Sequence, residues 1–286
     1  MNYQQTKLQP GLYLVATPIG HARDITLRAL DVLASADVLA SEDTRTLQKL
    51  MQIHGVPREG RPLVAYHDHS SDAAVARLAG DIREGRSVAY ASEAGSPLIS
   101  DPGYRLVAEL AREGLPVTVI PGASAAIAAL SLAGLPTDRF LFLGFPPAKA
   151  AARQSWLADQ AHAGATQVIY ESPRRVEELL AALCESHGPE RPAALCRELT
   201  KTYETVLRGT VSELLALVRD TPPKGECVLV VAGAEAESAG EEDVETALVN
   251  AMERLSMKDA VKEVAESLGM PRKAVYQLAL GLKQEG

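Results

Sequence analysis

Leu12-Tyr-Leu-Val-Ala16 runs without a break into Thr17-Pro-Ile-Gly20, and Asp24 to Ala36 follows with Ile25, Leu27, Leu30 and Leu33 near helical spacing. An apolar run too short for a helix, then a Pro/Gly turn, then an apolar period near 3.6 describes a buried strand feeding a helix. The unit recurs. Strands near Val38 to Ser41, Leu63 to Tyr66, Ser87 to Ala91 and Val117 to Ile120 alternate with helices near Thr44 to Ile53, Ser71 to Glu84 and Tyr104 to Glu113. Alternation of this kind predicts a mainly parallel sheet covered by helices on both faces.

A small-residue helix, Ala123 to Ala133, leads through Gly134-Leu-Pro-Thr-Asp138 into a second series. Its strands are expected at Phe140 to Leu143, Gln167 to Tyr170, Ala193 to Arg197, Tyr203 to Arg208 and Glu226 to Val231. Its helices are expected at Ala150 to Ala163, Arg174 to Ser186 and Val211 to Val218. Consecutive strands before and after Thr200 predict antiparallel pairing and a mixed sheet. Glu235 to Glu245 is acidic and reads as a solvated linker. Beyond it, Val261, Val264, Ala265 and Leu268 share a helical face, Gly269 can cap that helix and Pro271 can start another carrying Val275, Leu278 and Leu282. The expected organisation is an αβ domain over 11–121, a second over 122–234 with a mixed sheet, a linker over 235–245 and a helix-turn-helix appendage over 246–286.

With 286 residues, 47% of them hydrophobic, the chain can bury more than one core. No apolar run approaches the roughly 18 residues of a membrane-spanning helix, and MNYQQTKLQPG lacks the basic and apolar parts of an export signal. A cytoplasmic protein is expected. Cys184, Cys196 and Cys227 sit in apolar surroundings without a CxxC pair, as core thiols do. A net charge of −8 argues against a protein that coats nucleic acid non-specifically, so any RNA contact must be local.

Chemistry concentrates where the first-half strands end. Thr17-Pro-Ile-Gly20, Glu42-Asp-Thr-Arg45, His67-Asp-His69, Ser92-Glu-Ala-Gly-Ser-Pro97 and Pro121-Gly-Ala-Ser124 each follow a strand. In open parallel sheets ligands bind beyond the carboxyl ends of the strands, where these loops would converge. Small residues and prolines there fix turns and let backbone groups approach a ligand, which suits an adenosine or amino-acid moiety. No GxGxxG follows the first strand, and neither a GxxxxGK[ST] nor a GxSxG occurs. His67 and His69 lack further ligands to complete a metal site, so no metal is expected.

In order along the chain, TPIG, SEDTR, YHDHS, SEAGSPLISDPGY, PGASAAIAALSLAGLPTDRFLFLGFPPAK, YESPRR, CRELTKTYE and KGECVLVVAG resemble the motifs of the ribosomal RNA small subunit methyltransferase I family, from about Leu12 to Gly233. The terminal helix pair is similar to that family's appendage. The resemblance implies two αβ domains of tetrapyrrole-methylase type with S-adenosylmethionine held in the cleft between them. It also implies a homodimer and, as partner, small-subunit ribosomal RNA or the 30S subunit, methylated on the ribose 2′-hydroxyl of a cytidine in the decoding region.

Carried over, Pro18, Gly95, Ser96, Pro97, Ser124 and Ala125 would border the donor, with Tyr170 and Leu199 closing it from the second domain. The rest of the same loops, Ser92, Glu93, Ala94, Pro121 and Gly122, would line it too. Glu93, Ser96 and His21 stand where the family pattern has Asp, Thr and Asn. His67, Glu171, Glu198 and Lys201, at strand ends facing the cleft, are candidate bases for the hydroxyl proton. Arg45, Arg174, Arg175 and Lys201 on cleft-side loops, with Arg272 and Lys273 at a helix start, are candidate RNA contacts. Two other readings stay open: a methyltransferase acting on a tetrapyrrole, and a non-catalytic nucleic-acid-binding regulator that senses a small ligand.

Overall fold

In the computed structural model, which describes residues 2–67, 72–99, 103–234, 241–267 and 272–285, the first half alternates strands and helices. They are β1 (Gly11–Val15), α1 (Leu27–Ser35), β2 (Val38–Ser41), α2 (Thr44–Ile53), β3 (Leu63–Ala65), α3 (Asp72–Arg83), β4 (Ser87–Ala91), α4 (Tyr104–Arg112) and β5 (Val117–Ile120). All pairings are parallel, in the order β3-β2-β4-β1-β5. Every residue of β2 and β4 is buried, because helices cover both faces. Leu30, Leu33 and Leu47 of α1 and α2 pack with Leu39 and Ile120 on one face. Leu78, Leu106 and Leu110 of α3 and α4 pack with Leu12 and Tyr90 on the other.

The helix expected from Asp24 begins later. Ala22–Asp24 form a single 3₁₀ turn, and α1 starts after Thr26, whose hydroxyl accepts from the Ala29 N–H at 3.1 Å. The threonine supplies the missing partner for a first-turn amide. Ile25 before the cap and Leu30 four residues into the helix join the same core, as a hydrophobic staple does.

The second half runs α5 (Ala125–Ala133), β6 (Phe140–Gly144), α6 (Ala150–Ala158), β7 (Thr166–Glu171), α7 (Val176–His187), β8 (Pro192–Arg197), β9 (Thr205–Thr210), α8 (Val211–Asp220) and β10 (Cys227–Val231). The sheet order is β6-β7-β10-β8-β9, with β6 parallel to β7 and the other pairs antiparallel. α5 buries Ala126, Ala129, Leu130 and Ala133 against Val168, Ala194, Cys196 and Val230, and its alanines let it lie close to the sheet. α6, α7 and α8 cover the opposite face through Leu157, Leu179, Leu183 and Leu214.

The helices expected from Ala123 and Arg174 start two residues later, at Ala125 and Val176, and two further boundaries shift for a local reason. β9 starts at Thr205, not Tyr203, because Glu198 (φ +52°) and Thr200 (φ +63°) bend the preceding loop into consecutive turns, closed by Lys201 N–H to Glu198 O and Glu204 N–H to Lys201 O. α6 ends at Ala158 instead of Ala163, where the hydrogen bonds tighten to turns approaching Gly164.

Three helices follow: α9 (Glu241–Met252), α10 (Met257–Ser267) and α11 (Arg272–Glu285). The acidic segment expected to be a linker through Glu245 is thus helical from Glu241, because Val244, Leu248 and Ala251 recur on one face and are buried. They pack with Ala260, Val261, Val264, Ala265, Val275 and Ala279 in a core of their own, flanked by Leu278 and Leu282. Leu268, Gly269 and Pro271 lie outside the described residues. Among the described residues no helix is long and apolar enough to cross a membrane.

Candidate active site

Because β1 lies between β4 and β5, loops far apart in sequence emerge side by side. Thr17 and Gly95 exchange backbone hydrogen bonds at 2.9 and 3.0 Å, tying the first loop to the fourth. Beneath this bridge Ser92 is buried, its hydroxyl donating to Gly95 O at 2.5 Å and lying 3.3 Å from Thr17 Oγ1. Gly95 has φ +83°, a conformation glycine adopts without strain. Ser96 Oγ donates to Ala123 O at 3.2 Å and joins the fourth loop to the fifth. α5 then begins at Ala125 after the N-cap Ser124, whose side chain makes no capping bond; both residues line the cleft, and the first amides of the helix lack intrahelical partners.

The second sheet presents one end to these loops. β7 finishes there, and β10, antiparallel to it, starts there, pairing Cys227 with Glu171 and Val228 with Tyr170. Tyr170 packs edge-on against Phe145, which follows β6, with ring centroids 5.5 Å apart. The loop after β8 closes over the first loop. Thr200 Oγ1 accepts from the His21 N–H at 3.0 Å, and Ile19 enters the core formed by α5, the second sheet and Leu199. A side chain at Gly20 would place its Cβ 2.5 Å from Lys201 Cγ and 2.8 Å from Leu199 O, so this approach requires glycine.

The result is a cleft of about 680 Å³ between the two sheets, in the range of small-molecule sites. Ile19, Ile99, Phe145, Tyr170 and Val228 give it apolar walls, while Glu93, Ser96, Ser124, Glu171, Lys201 and Glu226 add polar groups. Lys201 Nζ lies 2.9 Å from both Glu198 Oε1 and Glu226 Oε2. Burial pulls its pKa down, but these two hydrogen bonds outweigh that and leave it above the usual lysine value. The Lys201 hydrogen bond and the Glu226 amide hold Glu198 below the usual carboxylate value. Glu171 is buried, with Oε1 accepting from Ser172 N–H at 2.7 Å and Oε2 3.0 Å from the Arg175 guanidinium.

Of the donor-site candidates, Pro18, Glu93, Ala94, Gly95, Ser96, Ser124, Ala125 and Tyr170 line the cleft. Ser92 lies under the loops and Pro97 is buried; neither is among the lining residues. Pro121 and Gly122 are exposed outside the lining, with Gly122 close on Ala16. Leu199 packs in the core below, its side chain drawn in by Ile19 and α5.

Of the proton-acceptor candidates, Glu171 and Lys201 reach the cleft, Glu198 is engaged behind Lys201, and His67 is exposed beyond the edge strand β3, outside the lining. His69 lies outside the described residues. Arg175 turns inward, donating to Pro146 O and Pro147 O at 3.0 and 3.2 Å, while Arg174 stays exposed. Arg45 pairs with its neighbour Asp43, and Arg272 and Lys273 are exposed at the start of α11. Ile19, Thr46, Ile99, Phe145, Ser172, Pro173, Glu226, Cys227 and Val228 also line the cleft, and the sequence reasoning does not single them out. The exposed aromatic in Gly144-Phe-Pro-Pro147 is a usable signal for the wall it forms; the start of β10 offers none, since its direction is not written in its apolar run.

A parallel sheet, a mixed sheet and a small-residue cleft between them define a two-domain methylase of tetrapyrrole-methylase architecture. Residues 11–215 match the family described as Tetrapyrrole (Corrin/Porphyrin) Methylases, and residues 238–283 match the RsmI C-terminal HTH domain. The chain belongs to the ribosomal RNA small subunit methyltransferase I family. A relative of that name from Mesorhizobium japonicum is 45% identical over 278 residues, covering 96% of this chain and 93% of its own. Among solved structures, uroporphyrin-III-C-methyltransferase from Thermus thermophilus is 28% identical, with a TM-score of 0.55 over 78% of this chain and 94% of that one. A second structure under that name, complexed with S-adenyl homocysteine, has a TM-score of 0.53 at 19% identity and covers 78% and 97% of the two chains.

Proposed function

We propose that this protein transfers the methyl group of S-adenosylmethionine to small-subunit ribosomal RNA, on the ribose 2′-hydroxyl of a cytidine in the decoding region. The cleft between the sheets carries the reading: a glycine-turned loop and an uncapped helix start face an aromatic wall across a volume suited to a folded nucleoside. Ile19, Tyr170 and Val228 would pack on the apolar parts of the donor. The amides at Ser124 and Ala125 suit its carboxylate, since a helix start favours negative charge. Bound there, S-adenosylmethionine supplies an activated methyl group and its own leaving group. The protein's contribution is alignment of the acceptor oxygen, which can be worth about 7–11 kcal/mol.

Of the four candidates for proton removal, Glu171 is the carboxylate that lines the cleft, and it would accept the hydroxyl proton as the oxygen takes the methyl group and the sulfur leaves. Lys201 is held protonated by its two carboxylates, and Arg175 and Ser172 N–H hold Glu171 in place. Lys201 therefore serves as a fixed cation that orients the acceptor, with Arg174 and Arg45 as phosphate contacts at the rim. The setting is cytoplasmic and the working form a homodimer, a reading supported by the family relation; light scattering should return twice the mass of one chain. The relatives' name and the appendage over 238–283 favour RNA over a tetrapyrrole acceptor.

Purified protein with methyl-labelled donor should label the small subunit's RNA, and mass spectrometry should place the label on one ribose. Label on a porphyrin precursor, or none on RNA with the donor bound, would overturn the assignment.

A further inference from the structure

Away from the cleft, α10 and α11 enclose a groove of about 330 Å³ lined by Lys258, Lys262, Arg272, Lys273 and Tyr276. Lys258 and Lys262 are one turn apart on α10, and Arg272, Lys273 and Tyr276 fall on one side of the first turns of α11, so the two helices aim their cations into the same space. All five are exposed, Tyr276 by 44%. Two described carboxylates nearby have partners of their own. Asp259, on the groove wall, accepts from Ser256 Oγ at 2.6 Å, and Glu263 pairs with Arg254.

In a chain of net charge −8, four cations around one groove are a local reversal of sign. The adjoining buried faces of α10 and α11 are closed by the module's own core, so the groove is not an unfinished apolar contact. An aromatic ring half exposed among cations matches a nucleic-acid surface, where bases stack on rings and phosphates meet lysine and arginine. The start of α11 adds partial positive charge to the same place.

We infer that this groove is a second RNA-docking surface, which grips the phosphate backbone of the ribosomal RNA substrate through Lys258, Lys262, Arg272 and Lys273 and stacks one unpaired base on Tyr276. It rests on the reading of the substrate as RNA and adds a contact remote from the cleft. The geometry of RNA sets the mode. The major groove of an A-form helix is too deep and narrow for a protein helix to read, so this helix pair holds the backbone and a splayed base. The docking contact raises the local concentration of substrate at the cleft, and its loss appears in KM before kcat.

The test compares the full-length protein with K258E/K262E, K273E, Y276A and Y276F, measuring binding to small ribosomal subunits over a salt series, methylation kinetics and S-adenosylhomocysteine affinity. Each lysine removed should make the slope of log affinity against log salt shallower by about 0.7–0.9. K258E/K262E should raise KM for subunits at least tenfold. Y276A should weaken binding roughly five- to a hundredfold, and Y276F should restore it. Affinity for S-adenosylhomocysteine should not change in any variant, and thermal melts identify a variant that has lost its fold, for which K258Q/K262Q is the substitute. Unchanged slopes and KM overturn the groove assignment; so does lost activity accompanied by a change in oligomeric mass, which would make the face a protein contact. If the wild-type protein binds subunits with the expected slope but labels no RNA, the methyltransferase reading fails while the groove assignment stands.

Discussion

Gly20 shows how one residue decides whether the two sheets meet. A Cβ there would fall 2.5 Å from Lys201 Cγ, 2.6 Å from Thr200 Oγ1 and 2.8 Å from Leu199 O, and a real Cβ tolerates none of these without the loop after β8 moving. Gly20→Ala should therefore weaken S-adenosylhomocysteine binding at least tenfold by calorimetry, because the cleft wall carrying Lys201 is displaced. Gly80→Ala is the contrasting case. It lies inside α3 with nothing within 4 Å of a Cβ, so the substitution should raise stability by about 0.5–1 kcal/mol in denaturant melts. A further single-residue effect is pH dependence at His187. It is buried, with Nε2 3.1 Å from Gln167 Oε1 and Nδ1 2.8 Å from Ser186 Oγ. Burial, and then the charges of Arg191 and His162, pull its pKa down to about 4. The unfolded chain binds this proton near its ordinary value of about 6.5, so the stabilisation is complete above that pH and is lost as pH falls from there towards 4. Between pH 7 and 5 the loss should be about 1–2 kcal/mol. His187→Gln should flatten the profile; an unchanged slope would mean that the ring titrates normally.

At the scale of elements, start signals explain what the sequence makes legible. α8 opens with a capping box: Glu213 N–H donates to Thr210 Oγ1 at 3.2 Å, and Thr210 N–H donates to Glu213 Oε2 at 2.8 Å. Thr210→Ala should cost about 1 kcal/mol in equilibrium unfolding, with methylation rate unaffected. The Thr-x-x-Glu spacing that makes this cap is visible along the chain itself. The central strands of the first sheet are equally legible, since burial on both faces leaves β1, β2 and β4 as largely apolar runs between turns. The second sheet is less so. Cys227-Val-Leu-Val-Val231 announces a buried strand but not its direction, and an antiparallel β10 delivers its beginning, Glu226 to Val228, to the cleft. Ser92 reads as a ligand contact because it stands in a ligand loop. Its hydroxyl instead holds the loop from below, a distinction made by hydrogen bonds between strands and invisible along the chain.

Across the whole molecule, the cleft exists because two sheets present complementary ends. In the first, adjacent β4, β1 and β5 bring three loops together; in the second, the ends of β6, β7 and β8 coincide with the start of β10. Few contacts are needed to fix the gap, since Ile19 from the first loop is buried in the core of the second half. A ligand filling the gap touches loops from both halves and should stabilise both, by about 2.7 kcal/mol at a concentration a hundred times its dissociation constant. The terminal helices close a separate core among α9, α10 and α11 and should not share that gain. Hydrogen exchange with and without S-adenosylhomocysteine resolves the difference. Protection should rise together around residues 17–20, 93–96 and 124–126 of one side and 170–173 and 226–228 of the other, while α10 and α11 stay unchanged. Protection confined to the loops after β1, β4 and β5 would show that the ligand lies on the first sheet alone, and the cleft would then have to close by a movement of the second half for Lys201 to reach the acceptor.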